Sequence, residues 1–123
     1  MTRVRTDPAA GWDATVVTVK GDLDVLNASH LREAGVRLAE AHQWNLVIDL
    51  SGVPFIDSTG MGVLVGILKR VRAHDGRVAV TGCNAYVASA LRVTGLNRLL
   101  NPAPTVSDAL KTGFRPAQAG DVR

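Results

Sequence analysis

Cysteine is nearly missing from this 123-residue chain: Cys83 stands alone and cannot close an intramolecular disulfide. That excludes a small secreted framework held by disulfide staples. With no basic neighbour in sequence to activate it, Cys83 reads as a small core residue rather than a reactive thiolate. Aromatic residues make up only 4%, so the core has to be built from Val, Leu, Ile and Ala. No apolar run reaches the roughly 18 residues of a membrane span, and the opening MTRVRTDPAAGWD has no apolar stretch of a signal peptide. A cytoplasmic location with no membrane partner is the expectation. Enzyme signatures are missing too: there is neither Gly-x4-Gly-Lys-Ser/Thr nor Gly-x-Ser-x-Gly. His30, His42 and His74 fall in or just after predicted surface helices, so no serine has an obvious base. Asp22 and Asp24 are the nearest approach to a metal site, yet no histidine or third carboxylate lies close by, and loop decoration accounts for them better. No catalytic residue, resident metal or cofactor is expected.

What is present describes one ordinary globular domain. Hydrophobic residues are 46% and charged residues 20% of the chain, and this length can bury a core without metals or disulfides. The net charge of +3 raises the question of nucleic acid. The basic residues are scattered, however, and their one cluster, Lys69-Arg70-Val71-Arg72, sits in the last turns of a predicted helix, where cations complement the dipole. Direct nucleic-acid binding is not expected.

Turn residues and periodicity divide the chain into alternating elements. An edge strand within Met1–Thr6, turn chemistry over Asp7–Gly11 and a β-branched run Ala14–Lys20 predict a hairpin. Gly21–Asp24 breaks the second strand. A helix then starts at Asn27–Ser29 and ends near Gln43, with Leu31, Gly35, Leu38, Ala39 and His42 on one face. The run Leu46–Leu50 predicts a buried strand, with a polar turn over Asp49–Gly52. Ser58 to about Ala73 is helical, with Met61, Leu64, Val65, Leu68 and Val71 inward and Gly76 as a left-handed terminator. Gly60, Gly62 and Gly66 suggest tight packing of that helix on the sheet. Arg77–Thr81 is a strand and Asn84–Val93 a helix facing inward through Val87, Ala90 and Leu91. Leu96–Leu100 is a last short strand, and a small helix follows, capped at Thr105 or Ser107 and ended by Gly113. The expected fold is α/β: one domain over residues 1–113, with a central mostly parallel sheet, an antiparallel N-terminal edge hairpin and about four flanking helices. Residues 114–123 are expected to form a disordered tail.

The stretch from Val47 to Val71 organises the rest. Ser58 lies where a strand turns into a helix, at the carboxyl end of the sheet, where functional groups of such folds collect. A helix start carries unpaired N–H groups and a positive dipole, so a hydroxyl there sits where a phosphate can be held. From spacing alone Ser58 is either a helix cap or an acceptor of chemistry performed by another protein.

Asp57-Ser58-Thr59-Gly60-Met61-Gly62-Val63-Leu64, preceded by Ile48-Asp49-Leu50-Ser51-Gly52-Val53, resembles the signature of the bacterial STAS-domain anti-sigma factor antagonists. Gly21-Asp22-Leu23-Asp24 and Thr94-Gly95-Leu96 are similar to two further stretches of that family, and the likeness spans about Val16 to Lys111. Met61 stands where a Leu is usual, and Thr6–Asp13 matches nothing in the pattern. The resemblance implies that Ser58 is phosphorylated by a cognate anti-sigma factor that is also a serine kinase, which would bring its own ATP and Mg. Thr59 is the weaker acceptor, and Asp57 holds and orients the hydroxyl. Asp22, Asp24, Asn27, Gly60 and Met61 would support the phosphosite or contact the partner. A protein phosphatase would restore the unmodified form. The alternative is a stand-alone STAS adaptor of a transport or other signalling complex, with no phospho-switch and Ser58 serving only as a cap.

Overall fold

A computed structural model describes residues 2–117 of the chain. Four strands form one sheet in the order β1 (Arg3–Pro8), β2 (Thr15–Lys20), β3 (Asn45–Gly52) and β4 (Arg77–Thr81). β1 runs antiparallel to β2; β2, β3 and β4 are mutually parallel. The crossovers are α1 (Ala28–Glu40) between β2 and β3, and α2 (Ser58–Arg72) between β3 and β4. α3 (Ala85–Val93) and α4 (Val106–Gly113) follow β4. The α/β class, the edge hairpin and four helices agree with the sequence reading.

The central strand explains the apolar run in β3. Leu46 and Ile48 join Val17, Val19, Val78 and Val80 under Leu31, Leu64 and Leu68 of α1 and α2. Val47 points the other way, into a smaller cluster with Ala79, Ala109 and Leu110 beneath α4. A strand covered on both faces loses the polar alternation of a half-exposed one.

Several details depart from expectation for local reasons. The expected polar turn at Asp49–Gly52 is the end of β3, kept extended because Asp49 pairs with both Thr18 and Thr81. β1 extends to Pro8, which an edge strand tolerates. Leu96–Leu100 is not a strand: Leu96–Arg98 is a 3-10 turn entered through Gly95 at φ 78°. The Val80 amide donates to Leu100 O (2.9 Å) and the Ala103 amide to Val80 O (2.9 Å), so the chain touches the β4 edge only locally. Pro102 and Pro104 have no N–H with which to continue a ladder. His42 lies beyond α1, exposed and at φ 56°, while Ala34 takes a buried place on the helix. The left-handed residue after α2 is Asp75 at φ 59°, not Gly76. Gly76 is needed instead because a Cβ there would overlap the Trp44 carbonyl. Of the expected disordered tail, Phe114 packs on the smaller cluster, the Asp13 amide donates to Arg115 O (2.8 Å) and the Ala117 amide to Gly11 O (2.9 Å). Residues 118–123 lie outside the described residues.

Only one of the three glycines early in α2 packs tightly: a Cβ on Gly62 or Gly66 meets nothing within 4 Å. Each of these two positions therefore carries the helix cost of glycine without a packing reason. Gly62→Ala and Gly66→Ala are expected to raise stability by about 0.5–1 kcal/mol each. Gly76→Ala is expected to lower it by about 1–3 kcal/mol through overpacking. Urea unfolding midpoints at constant slope measure all three.

Candidate functional site

Ser58 is the first residue of α2, and the helix is capped by the residue before it. Asp57 is extended (φ −113°, ψ −173°), and its Oδ1 accepts from the Gly60 amide at 3.0 Å. Its Oδ2 accepts from the Val25 amide at 3.0 Å. One carboxylate thus caps α2 and ties down the loop that follows β2. The same loop is fastened by backbone bonds: Leu23 N donates to Phe55 O (2.9 Å) and Asp57 N to Leu23 O (3.1 Å). Gly60 permits this contact, since a Cβ there would overlap the Leu23 carbonyl oxygen.

With capping assigned to Asp57, the Ser58 hydroxyl has no structural task. The residue is exposed, and its Oγ makes no hydrogen bond to any described residue. The Met61 amide returns to Asp57 O (2.9 Å) and the Gly60 amide is capped, which leaves the Ser58 and Thr59 amides as the unpaired donors of this helix start. An anion on Ser58 Oγ would meet those donors and the positive end of the dipole. Thr59 is half-buried and lines a shallow groove of about 210 Å³ with Arg32 and Arg70, so its hydroxyl is less presented.

The other predicted site residues separate. Asp24 Oδ1 accepts from the Leu26 amide (3.1 Å), the Asn27 amide (3.0 Å) and Asn27 Nδ2 (2.9 Å). Asp24 and Asn27 are therefore spent on one another and on the start of α1, where Asn27 gives no side-chain cap of its own. Asp22 contributes its backbone: its carbonyl accepts from Thr2 Oγ1, which anchors the N-terminal segment. Met61 is half-buried and turned toward α3, where Thr94 Oγ1 approaches its sulfur at 3.9 Å. Asp57 does not hold the Ser58 hydroxyl, as the resemblance implied it would, because its two oxygens are taken by the Gly60 and Val25 amides; Asp22, Asp24 and Asn27 act by shaping the loop.

Sequence reasoning missed an apolar rim. Val25 and Leu26, on the loop held by Asp57, are 72% and 81% exposed. On the segment leading into α2, Phe55 stacks on Tyr86 (centroids 5.4 Å apart, 16° between planes), and Tyr86 Oη donates to Ile56 O at 3.3 Å. Both rings remain 40–50% exposed. Grouped apolar side chains left in water mark an interaction surface. The signal was present at Val25-Leu26, two apolar residues in a loop with no periodic partner.

Cys83 is half-buried; burial pushes its thiol above the ordinary range, and the nearby Asp49 carboxylate adds to the shift, against a backbone hydrogen bond that lowers it. A raised thiol on the margin of the core fits a small packing residue better than an activated thiolate. Among the described residues no cluster of three His, Cys, Asp or Glu could hold a metal, and no helix is long and apolar enough to cross a membrane.

Residues 3–109 match the STAS domain family. The chain is 31% identical over 85 residues to the anti-sigma-B factor antagonist of Staphylococcus epidermidis, covering 69% of this chain and 79% of that protein. It is similar in structure to an anti-sigma factor antagonist from Mycobacterium paratuberculosis, with a TM-score of 0.81 and 27% identity over 90% of this chain and 92% of the other. The fold also recurs in a sulfate transporter family protein of Wolinella succinogenes, with a TM-score of 0.68 and 19% identity over 78% and 80% of the two chains.

Asp57→Ala removes the cap of α2 and the anchor of Val25 together. A stability loss of about 2 kcal/mol is expected, the upper end for a cap, with faster amide exchange at Val25, read by denaturant unfolding and by NMR. Alkylation of Cys83 by iodoacetamide is expected to be slower at pH 8 than that of an unhindered thiol, and to accelerate only above the usual thiol range, as a rate-against-pH series will show.

Proposed function

Since the chain belongs to the STAS-domain family of anti-sigma factor antagonists, we propose that its unmodified form docks a cognate anti-sigma factor that is also a serine kinase. Docking displaces the sigma factor, and phosphorylation of Ser58 ends the docking. The chain acts by binding, in the cytoplasm, and performs no turnover itself; the kinase brings ATP and Mg, and a protein phosphatase resets the switch. The observation that carries this reading is the idle hydroxyl of Ser58, exposed at a helix start that Asp57 already caps.

The electrostatics support a switch that spares the fold. A phosphoserine adds about −1.5 to −2 charges at pH 7. In the free protein this charge faces water and the unpaired amides of Ser58 and Thr59, where it is tolerated. In a docked complex the rim of Val25, Leu26, Phe55 and Tyr86 would exclude water around it, and the neighbouring Asp57 carboxylate would repel it. An anion desolvated without a partner cation costs several kcal/mol. A loss of about 3 kcal/mol is already more than a hundredfold in affinity. Thr59, in its groove, is the lesser acceptor.

Calorimetry with the cognate kinase, paired with mass spectrometry of the products, tests the reading. Ser58→Ala is expected to bind within about threefold of the unmodified protein and to take up no phosphate. Ser58→Asp is expected to bind more than a hundredfold more weakly, the equivalent of about 3 kcal/mol. Equal affinity of the Asp variant, or retention of a transporter subunit by all forms, would overturn the switch in favour of an adaptor role.

A further inference from the structure

The outer edge of β4 is only partly covered. The Arg77 amide donates to Trp44 O (3.0 Å), and alternate residues of a parallel strand face the same neighbour. Arg77, Ala79 and Thr81 therefore turn their backbone groups to β3, while Val78 and Val80 turn theirs outward. Val80 is satisfied on both counts by Leu100 and Ala103. The Val78 carbonyl accepts from Asn101 Nδ2 at 2.9 Å. The Val78 amide has no acceptor among the described residues, because the chain turns through Gly95 into Leu96–Arg98 and supplies no carbonyl at that level. Val78 is 0% exposed, and a buried N–H without a partner is rare in folded proteins.

Val78 helps to line a cavity of about 270 Å³ between the last turns of α2 and the 3-10 turn, with Leu68 on the same side of the sheet. Arg72 of α2 and Arg98 of the 3-10 turn line it as well. No Asp or Glu does, and neither arginine has a carboxylate partner among the described residues. Arg77 also borders the cavity, but its guanidinium lies against Gly113 on the α4 side of the sheet, so its charge is directed elsewhere. Asn101, at φ 47°, spends its Nδ2 on Val78 O and leaves Oδ1 as an acceptor.

An orphaned N–H and two uncompensated guanidinium groups thus meet at one cavity, and together they select the ligand. Arginine suits carboxylates and phosphates alike. A carboxylate, however, has two oxygens in one plane, and three separate donor groups call for three. A phosphate monoester has three terminal oxygens in a tetrahedral array and carries about −1.5 to −2 charges at pH 7, which matches two arginines. The Asn101 Oδ1 would accept from a hydroxyl of the esterified alcohol.

We propose that this cavity binds a phosphate group, free or as the monoester of a small hydroxylated molecule, with one oxygen on the Val78 amide and the others on Arg72 and Arg98. The site lies at the opposite end of α2 from Ser58 and does not depend on phosphorylation there.

The test uses the full chain, isotopically labelled, titrated at constant ionic strength with inorganic phosphate, with glycerol 3-phosphate and with acetate. The Val78 amide proton is expected to move downfield and to saturate at low millimolar concentrations of a phosphate, with acetate much weaker. Tighter binding of glycerol 3-phosphate would assign the site to monoesters, and equal affinity to the phosphate ion itself; both support the proposal. Arg72→Gln and Arg98→Gln, at exposed positions, are each expected to weaken binding by about tenfold, the loss of one charge-assisted hydrogen bond. Arg77→Gln, whose side chain lies on the other side of the sheet, is expected to leave the affinity nearly unchanged. Unaltered urea midpoints would show that the variants fold. Three results would each overturn the proposal: no Val78 shift with either phosphate, the same shift with acetate at equal concentration, or unchanged affinity in both the Arg72 and Arg98 variants.

Discussion

The bifurcated use of the Asp57 carboxylate is the constraint on which the site depends. One oxygen takes the Gly60 amide and the other the Val25 amide, each at 3.0 Å, so a single side chain fixes both the start of α2 and the loop after β2. Because Asp57 performs the capping, the next residue is released from it, and Ser58 can present an unengaged hydroxyl at the most electropositive point of the helix. The close contact of Gly60 with the Leu23 carbonyl packs the two segments directly against each other. The exposed apolar residues Val25 and Leu26 are consequently held beside the start of α2.

This division of labour allows the proposed phosphorylation of Ser58 to act on binding without acting on stability. Buried groups around the site, Leu23 and Ile56, belong to the core cluster and lie beneath the surface that phosphate would occupy. Under the proposed switch the added charge would change the hydration of an exposed rim and would displace no packed side chain. In structural terms the proposed switch would be confined to the cost of removing water from one anion when a partner approaches.

Much of the architecture was legible because hydrophobic periodicity and turn residues agreed. The double-sided burial of β3 shows as an unbroken Leu46-Val47-Ile48, and the stripe of α2 shows through Leu64, Leu68 and Val71. What escaped was decided by tertiary contact. Asp49–Gly52 has turn composition yet stays extended, because ladders on both sides hold it. Leu96–Leu100 has strand-like composition, but Gly95 turns it and the prolines beyond it cannot donate to a ladder. Ser58 was visible as a capping-type serine at a strand-to-helix turn; only the geometry shows that Asp57 leaves its hydroxyl idle. The roles of Asp24 and Asn27 were hidden because a hydrogen bond between two polar loop residues leaves no periodic trace.

The attachment of residues 114–117 to the β1–β2 loop bears on how the protein can be handled and joined to others. Ala117 lies beside Gly11, near the start of β2, while Ser58 follows the far end of β3, which runs parallel to β2. A fluorophore, tether or fused domain placed after Ala117 would depart from the opposite end of the sheet. Immobilised by that route, the molecule would turn Ser58 and the apolar rim outward, toward whatever approaches from solution.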